Sequence, residues 1–423
     1  MTTQPRSTLV PMIIIGSLFF IFGFVTWLNG PLIMFVKLAF QLDTDSKAFL
    51  VTTAFFLAYF FLAIPSSMIL EKTGMKKGMA IGLSVMALGT FMFGTFATQR
   101  NYPLSLAGLF IVGSGLSLLQ TACNPYISII GSIESAAQRI SIMGICNKLA
   151  GMASPMVMGW LVMDKIGPFE EKMKAATDVA VREALLNDFA GKIYVPYMVM
   201  AGLLVLLALW ILKSPLPEIN PAEVNKAPED SALSTGRTNV FQFPYTLLGA
   251  LCIFVYVGAE VMAGDAIGVY GKGFNIPSVE AMFFTKFTLR AMLVGYIAGL
   301  FTIPRFISQQ TALRISAILG VLFTIGAFFT HGYTSVYFVA ALGFANAMMW
   351  PAIFPLAIAG LGRFTEKGSA LLIMGIVGGA LIPQLFAGLK EHYNFQAVFT
   401  FLMIPCYLYI LFYSIKGHKI LKW

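Results

Sequence analysis

Glu260 and Asp265 are carboxylates inside an apolar segment, residues 243–270, that is long enough to cross a bilayer. A charge at that depth is costly unless a partner or a proton neutralises it. Three cations also fall within apolar segments: Lys148, Lys286 and Arg290. By depth Asp265 matches Lys286 and Glu260 matches Arg290, so two structural ion pairs are one reading, with Lys148 left to meet a ligand hydroxyl or carboxylate. In the other reading Glu260, Asp265 or both take up H+ or Na+ during a working cycle, with Lys148 as counter-charge. Neutral polar groups share their level. At about 1.5 Å per residue, Gln120, Asn147, Lys148, Glu260 and Asn346 each lie within roughly 6 Å of the middle of their own segments. Gln120 with Asn124, Tyr256 with Glu260, and Asn346 with Trp350 are spaced i, i+4, each pair on one helix face.

That chemistry suits a polyhydroxylated ligand. Amides and carboxylates bind hydroxyls in pairs, and an aromatic face, Trp27 or Trp350, covers the C–H surface of a ring. Asn29 joins the set from the first segment. Each residue also has a plainer role, since buried Asn and Gln hold helices together and Trp27 can simply pack.

The elements that position these residues are membrane helices. The 423 residues are 58% hydrophobic and 11% charged, with 38 Phe, and mean hydropathy is +0.81. Twelve apolar spans follow, at residues 9–36, 46–70, 77–98, 103–131, 137–163, 193–213, 243–270, 280–304, 311–331, 334–361, 367–389 and 394–416. The first continues through Gly30 and Pro31 with no small-residue cleavage site, and is expected to be retained. The fold class is an all-α membrane protein. Lys and Arg gather on ends that are inner if the N-terminus is cytoplasmic, among them Lys72, Lys76, Lys77, Arg305, Arg314, Lys416 and Lys419. The short outer loops hold only Lys37, Lys47, Arg100, Lys272 and Lys390. Both termini are therefore expected inside.

Several function classes drop out. The net charge of +9 is dispersed among spans, which speaks against a nucleic-acid partner. Cys123, Cys146, Cys252 and Cys406 lack CxxC spacing, and three His residues near span ends supply neither a metal centre nor a catalyst. No phosphate-binding GxxxxGK[ST] run occurs, so no nucleotide cofactor is expected, and the chain does not read as an enzyme.

Residues 216–242 read as a cytoplasmic linker between an N-terminal six-helix bundle, 1–215, and a C-terminal one, 243–423. Residues 164–192 interleave apolar residues with charges, which fits an amphipathic outer segment packed on the protein or a solvated helix. The halves repeat. Gln120, Asn124 and Pro125 recur as Asn346, Trp350 and Pro351 at an offset of 226, and Ile142–Ile145 recurs letter for letter at Ile373–Ile376. Two like-oriented bundles related by an axis along the membrane normal place a substrate path between them.

Between spans 2 and 3, Ser67, Glu71, Lys72, Gly74, Lys76 and Lys77 follow G-x3-[DE]-[RK]-x-G-x-[RK]-[RK] with Ser first. This loop resembles the signature of the major facilitator superfamily, which implies twelve helices in two pseudo-symmetric bundles and an inner gate locked by charge contacts. The loop after span 8 keeps Gly299, Pro304 and Arg305. Within that superfamily the chain is similar to the fucose, glucose/galactose and N-acetylhexosamine permeases. The similarity rests on Phe24–Pro31 (FVTWLNGP), Leu119–Tyr126 (LQTACNPY), Asn147, Pro196, Tyr197, Trp350, Pro351 and Phe354. It implies import of a neutral hexose or N-acetylhexosamine across a bacterial inner membrane, by a monomer using alternating access and coupled to H+ or Na+. Use of Lys148 as counter-charge to a sugar acid is the alternative. L-fucose permeases carry acids where Gly30 and Gln120 stand here. Asp265, the repeat mate of Gly30 at an offset of 235, is the candidate replacement.

Overall fold

A backbone in hydrocarbon must satisfy its own hydrogen bonds, so the apolar runs become helices. The computed structural model describes residues 8–130, 136–161, 166–218, 237–303 and 305–422. Eleven helices among them are long and apolar enough to cross a membrane. Span 5, a helix of 26 residues at Ala136–Leu161, completes the expected twelve. Most of the expected linker, residues 219–236, lies outside the described residues, as does Pro304.

Three spans break near their middles. Span 1 divides into Leu9–Thr26 and Asn29–Ala39, span 7 into Pro244–Gly264 and Ile267–Lys272, and span 10 into Gly332–Asn346 and Met349–Ile358. Pro31 and Pro351 stand third in their second segments, and without an N–H they cannot bond the carbonyls of Trp27 and Ala347 four residues back. Trp27 and Asp265 therefore sit at breaks, and Trp350 one residue past one.

The halves meet along two lines, span 2 against span 11 and span 5 against span 8. At the outer end of span 2, Asp45 bridges Lys37 of its own half and Lys390 of the other. Gln384 Nε2 donates to Ser46 Oγ at 2.8 Å, and Thr53 donates to Gln384 Oε1 at 3.1 Å. This latch joins the halves at the end of the bundle opposite the chain termini. Asp45→Asn keeps the shape and removes the charge, so it should raise the reactivity of a cysteine placed at Val257, which lines the cavity between the halves, toward a membrane-impermeant thiol reagent added on the latch side. Equal labelling rates in the two backgrounds would show that the bridge carries no weight.

The signature loop between spans 2 and 3 differs from expectation. Gly74 adopts φ +77°, a conformation open to glycine, and Lys76 Nζ donates to the Ser214 carbonyl at 2.6 Å. Lys76 thus caps the C-terminal end of span 6 in its own half, where helix carbonyls are unpaired and the dipole is negative. Among the described residues no ion pair links Glu71, Lys72 or Lys77 to the opposite half. On this side Gln138 also reaches the opposite half, its Nε2 donating to the Ile303 carbonyl at 3.3 Å.

The outer segment folds as two helices, Ile166–Ala175 and Val179–Gly191. Asp178 caps the second, accepting from the Ala180 amide at 2.8 Å. Phe189 is fully buried, stacked on Phe169 with centroids 4.3 Å apart and set against Phe35 of span 1 at 5.1 Å. The packed reading holds over the solvated one.

Candidate functional site

A cavity lies between the halves at the level of the breaks. Its wall includes Trp27, Gln120, Asn124, Asn147 and Lys148 from the first half, and Tyr256, Glu260, Asp265 and Trp350 from the second. Tyr59, Tyr296, Phe19, Phe22 and Phe56 also line it.

Two expectations need correction. Glu260 does not pair with Arg290, nor Asp265 with Lys286. Lys148 Nζ instead stands 2.9 Å from Glu260 Oε1, across the interface, with side chains only 6% and 12% exposed. Arg290 is exposed on span 8, and Lys286 lies 5.2 Å from the ring centroids of both Phe283 and Phe287. Depth along a span selects partners by height alone. Which helix faces which is set by how the two bundles dock. Asn29 and Asn346 are also absent from the cavity wall. Asn29 borders a small void with Phe55, Thr90 and Tyr197, and Asn346 Oδ1 accepts from Tyr407 at 3.0 Å, so Asn346 ties span 10 to span 12.

Trp27 is an organiser of this site. Its Nε1–H donates to Asn147 Oδ1 at 3.1 Å, which leaves the Asn147 NH2 as a donor. Lys148 Nζ sits 4.2 Å from the Trp27 ring centroid, in cation–π range. The ring fits only because Gly151 and Gly264 have no side chains: a Cβ would stand 2.4 Å and 2.3 Å from its atoms. Opposite, Gln120 Nε2 donates to Tyr59 Oη at 3.1 Å, leaving Gln120 Oε1 and the Tyr59 hydroxyl proton for a ligand. Asn124 Nδ2 is used on the Gln120 carbonyl at 3.0 Å, while its Oδ1 has no partner. On the C-terminal side Trp350 stacks on Phe354 at 5.6 Å and tilts against Tyr256 at 6.4 Å, an aromatic wall.

Asp265 is 3% exposed, and neither carboxyl oxygen has a hydrogen-bond partner. Its repeat mate faces it: a Cβ on Gly30 would stand 3.2 Å from Asp265 Oδ1. The Thr285 and Thr288 hydroxyls beside it donate to the Gly264 and Ala263 carbonyls at 2.8 Å and 2.6 Å.

Sequence reasoning missed Tyr59 and Tyr296. Each is a tyrosine in an otherwise apolar stretch of its span, a signal that the many aromatic residues of this chain bury.

A family model described as Major Facilitator Superfamily matches residues 15–382. The chain belongs to the major facilitator superfamily. Within the superfamily it is 32% identical to a protein named glucose/galactose transporter from Brucella abortus, over 95% of this chain and 92% of that one. It is 27% identical to the L-fucose-proton symporter of Escherichia coli, over 92% and 88%. Among solved structures, the superfamily transporter FucP in its outward conformation aligns with TM-score 0.77 and 24% identity, over 97% of this chain and 99% of that one. The fold is thus the superfamily's, and this integral membrane protein is a transporter in architecture.

Proposed function

We propose that this protein imports a neutral hexose or N-acetylhexosamine by alternating access, driven by a cation gradient, as a monomer in a bacterial inner membrane with both termini cytoplasmic. The observation that carries this reading is a cavity shared by both halves, whose polar wall is amides, tyrosine hydroxyls, Glu260 already neutralised by Lys148, and the buried Asp265. Gln120, Asn147 and Glu260 offer acceptors and donors for ring hydroxyls, and Trp350 offers a face for the C–H surface. Names of relatives, glucose/galactose transporter and L-fucose-proton symporter, agree with it. The reading of a sugar acid loses its motive, because Lys148 is spent on Glu260. Outer loops poor in Lys and Arg, with basic inner loops, support the orientation.

The test is uptake in proteoliposomes, with a panel of labelled hexoses, N-acetylhexosamines and sugar acids under imposed pH or Na+ gradients. Uptake of a sugar acid in preference to its neutral parent would overturn the assignment. Trp27→Phe keeps the ring and loses the Nε1 donor, so the Asn147 amide loses its fixed orientation. Sugar affinity should then fall by about 1 kcal/mol, roughly fivefold, as read by equilibrium binding. An unaltered affinity would remove Trp27 from the site's scaffold.

A further inference from the structure

Three ionisable side chains meet where the halves join: Lys148 on span 5, and Glu260 and Asp265 on span 7. With all three ionised the cluster carries one net negative charge, on side chains that are almost wholly buried. Lys148 is committed to Glu260 at 2.9 Å, whereas both Asp265 oxygens are buried without a hydrogen-bond partner. A buried carboxylate whose oxygens lack donors, beside a cation already bonded to another acid, is costlier than a carboxylic acid in the same place. The charged groups facing Asp265 are Lys148 from span 5 and Glu260 from its own span; span 1 presents the Gly30 main chain, and span 8 the Thr285 and Thr288 hydroxyls. Glu260 in turn is faced by Lys148 and by Tyr256, Tyr296 and Tyr407. A proton fits this spot without a coordination shell.

We propose that Lys148 is a counter-ion shared by two acids, and that its choice between them links proton binding to sugar binding. With the proton on Asp265, Lys148 holds Glu260, and Glu260 is fixed on the cavity wall for a sugar hydroxyl. When the Asp265 O–H bond breaks and the proton leaves to water, the new carboxylate draws the Lys148 ammonium, which breaks its hydrogen bond to Glu260 and forms one to Asp265. Glu260 then loses its anchor, and the sugar loses a fixed acceptor. By linkage the proton and the sugar each tighten the binding of the other. This rests on the sugar reading above, and extends it by assigning the coupling proton and the residue that transmits its presence.

The test is equilibrium sugar binding across a pH series on the purified full-length protein, with proton uptake on sugar addition read in weak buffer. In the unsubstituted protein, affinity should weaken as pH rises through the Asp265 titration, by up to about tenfold per pH unit for one linked proton. Asp265→Asn mimics the protonated acid. It should fold with an unaltered Tm, bind sugar at the low-pH affinity of the parent at every pH, and take up no proton. Affinity in Asp265→Asn that still follows pH, or collapse of its Tm, overturns the proposal, since an ionised structural Asp265 predicts that collapse. A parent protein that binds no neutral sugar at any pH overturns the sugar reading and this inference with it. Sugar binding that ignores pH in the parent overturns this inference alone.

Discussion

Lys148→Met should abolish uptake and lower Tm more than any other single substitution in the cavity. Lys148 is the cation of a buried pair, 2.9 Å from Glu260 and joining the two halves. Methionine preserves length and removes the charge, leaving the Glu260 carboxylate without its cation. Breaking such a pair from one side costs about 3–5 kcal/mol, because the remaining charge stays buried. The contact with the Trp27 ring, worth up to about 2 kcal/mol where water is excluded, goes with it. The double substitution Lys148→Met/Glu260→Gln supplies the control. With both charges gone nothing is left uncompensated, so Tm should return most of the way while uptake stays lost, because Glu260 is an acceptor the ligand needs. Thermal melting in detergent and uptake in proteoliposomes check both arms. A double substitution no more stable than the single one would show that the loss came from packing.

Gly23→Ala should be nearly as damaging, though it adds one methyl group. Gly23 lies where span 1 crosses span 5, and a Cβ there would stand 1.9 Å from the Asn147 carbonyl oxygen and 2.8 Å from the Asn147 Cα. Those are backbone atoms and cannot turn aside, so the helices must separate. Overpacking of this kind costs about 1–3 kcal/mol, and here the displaced residue is Asn147, whose Oδ1 receives the Trp27 hydrogen bond. The expected result is a lower Tm with ligand affinity reduced further than in Trp27→Phe. Gly202→Ala serves as comparison, because a Cβ there meets nothing within 4 Å, and should leave both readings close to the parent. Normal binding in Gly23→Ala would mean that the two spans have slack at their crossing.

Much of this site was legible because intramembrane polarity is rare. Gln120, Asn124, Asn147, Lys148, Tyr256, Glu260, Asp265 and Trp350 stand out in apolar helices, and all line the cavity. Asn29 and Asn346 stood out by the same criterion yet face elsewhere, Asn346 being held by Tyr407. The polarity rule reports that a residue needs a partner in hydrocarbon and leaves open whether that partner is a ligand or a neighbouring helix. Tyr59 and Tyr296 were hidden for the opposite reason, since an aromatic residue in a membrane span needs no explanation.

The sequence by itself determined the membrane class, the twelve spans, the duplication and the depth of each charge. These follow from hydropathy, from loop cations and from a rise per residue that is nearly constant along a helix. Only the tertiary structure decided the pairing. Spans 5 and 7 come from different halves, and the rotation of each helix about its axis depends on how the bundles dock. That docking gave Lys148 to Glu260 in place of Arg290, and left Asp265 against the main chain of Gly30 with both carboxyl oxygens lacking a hydrogen-bond partner.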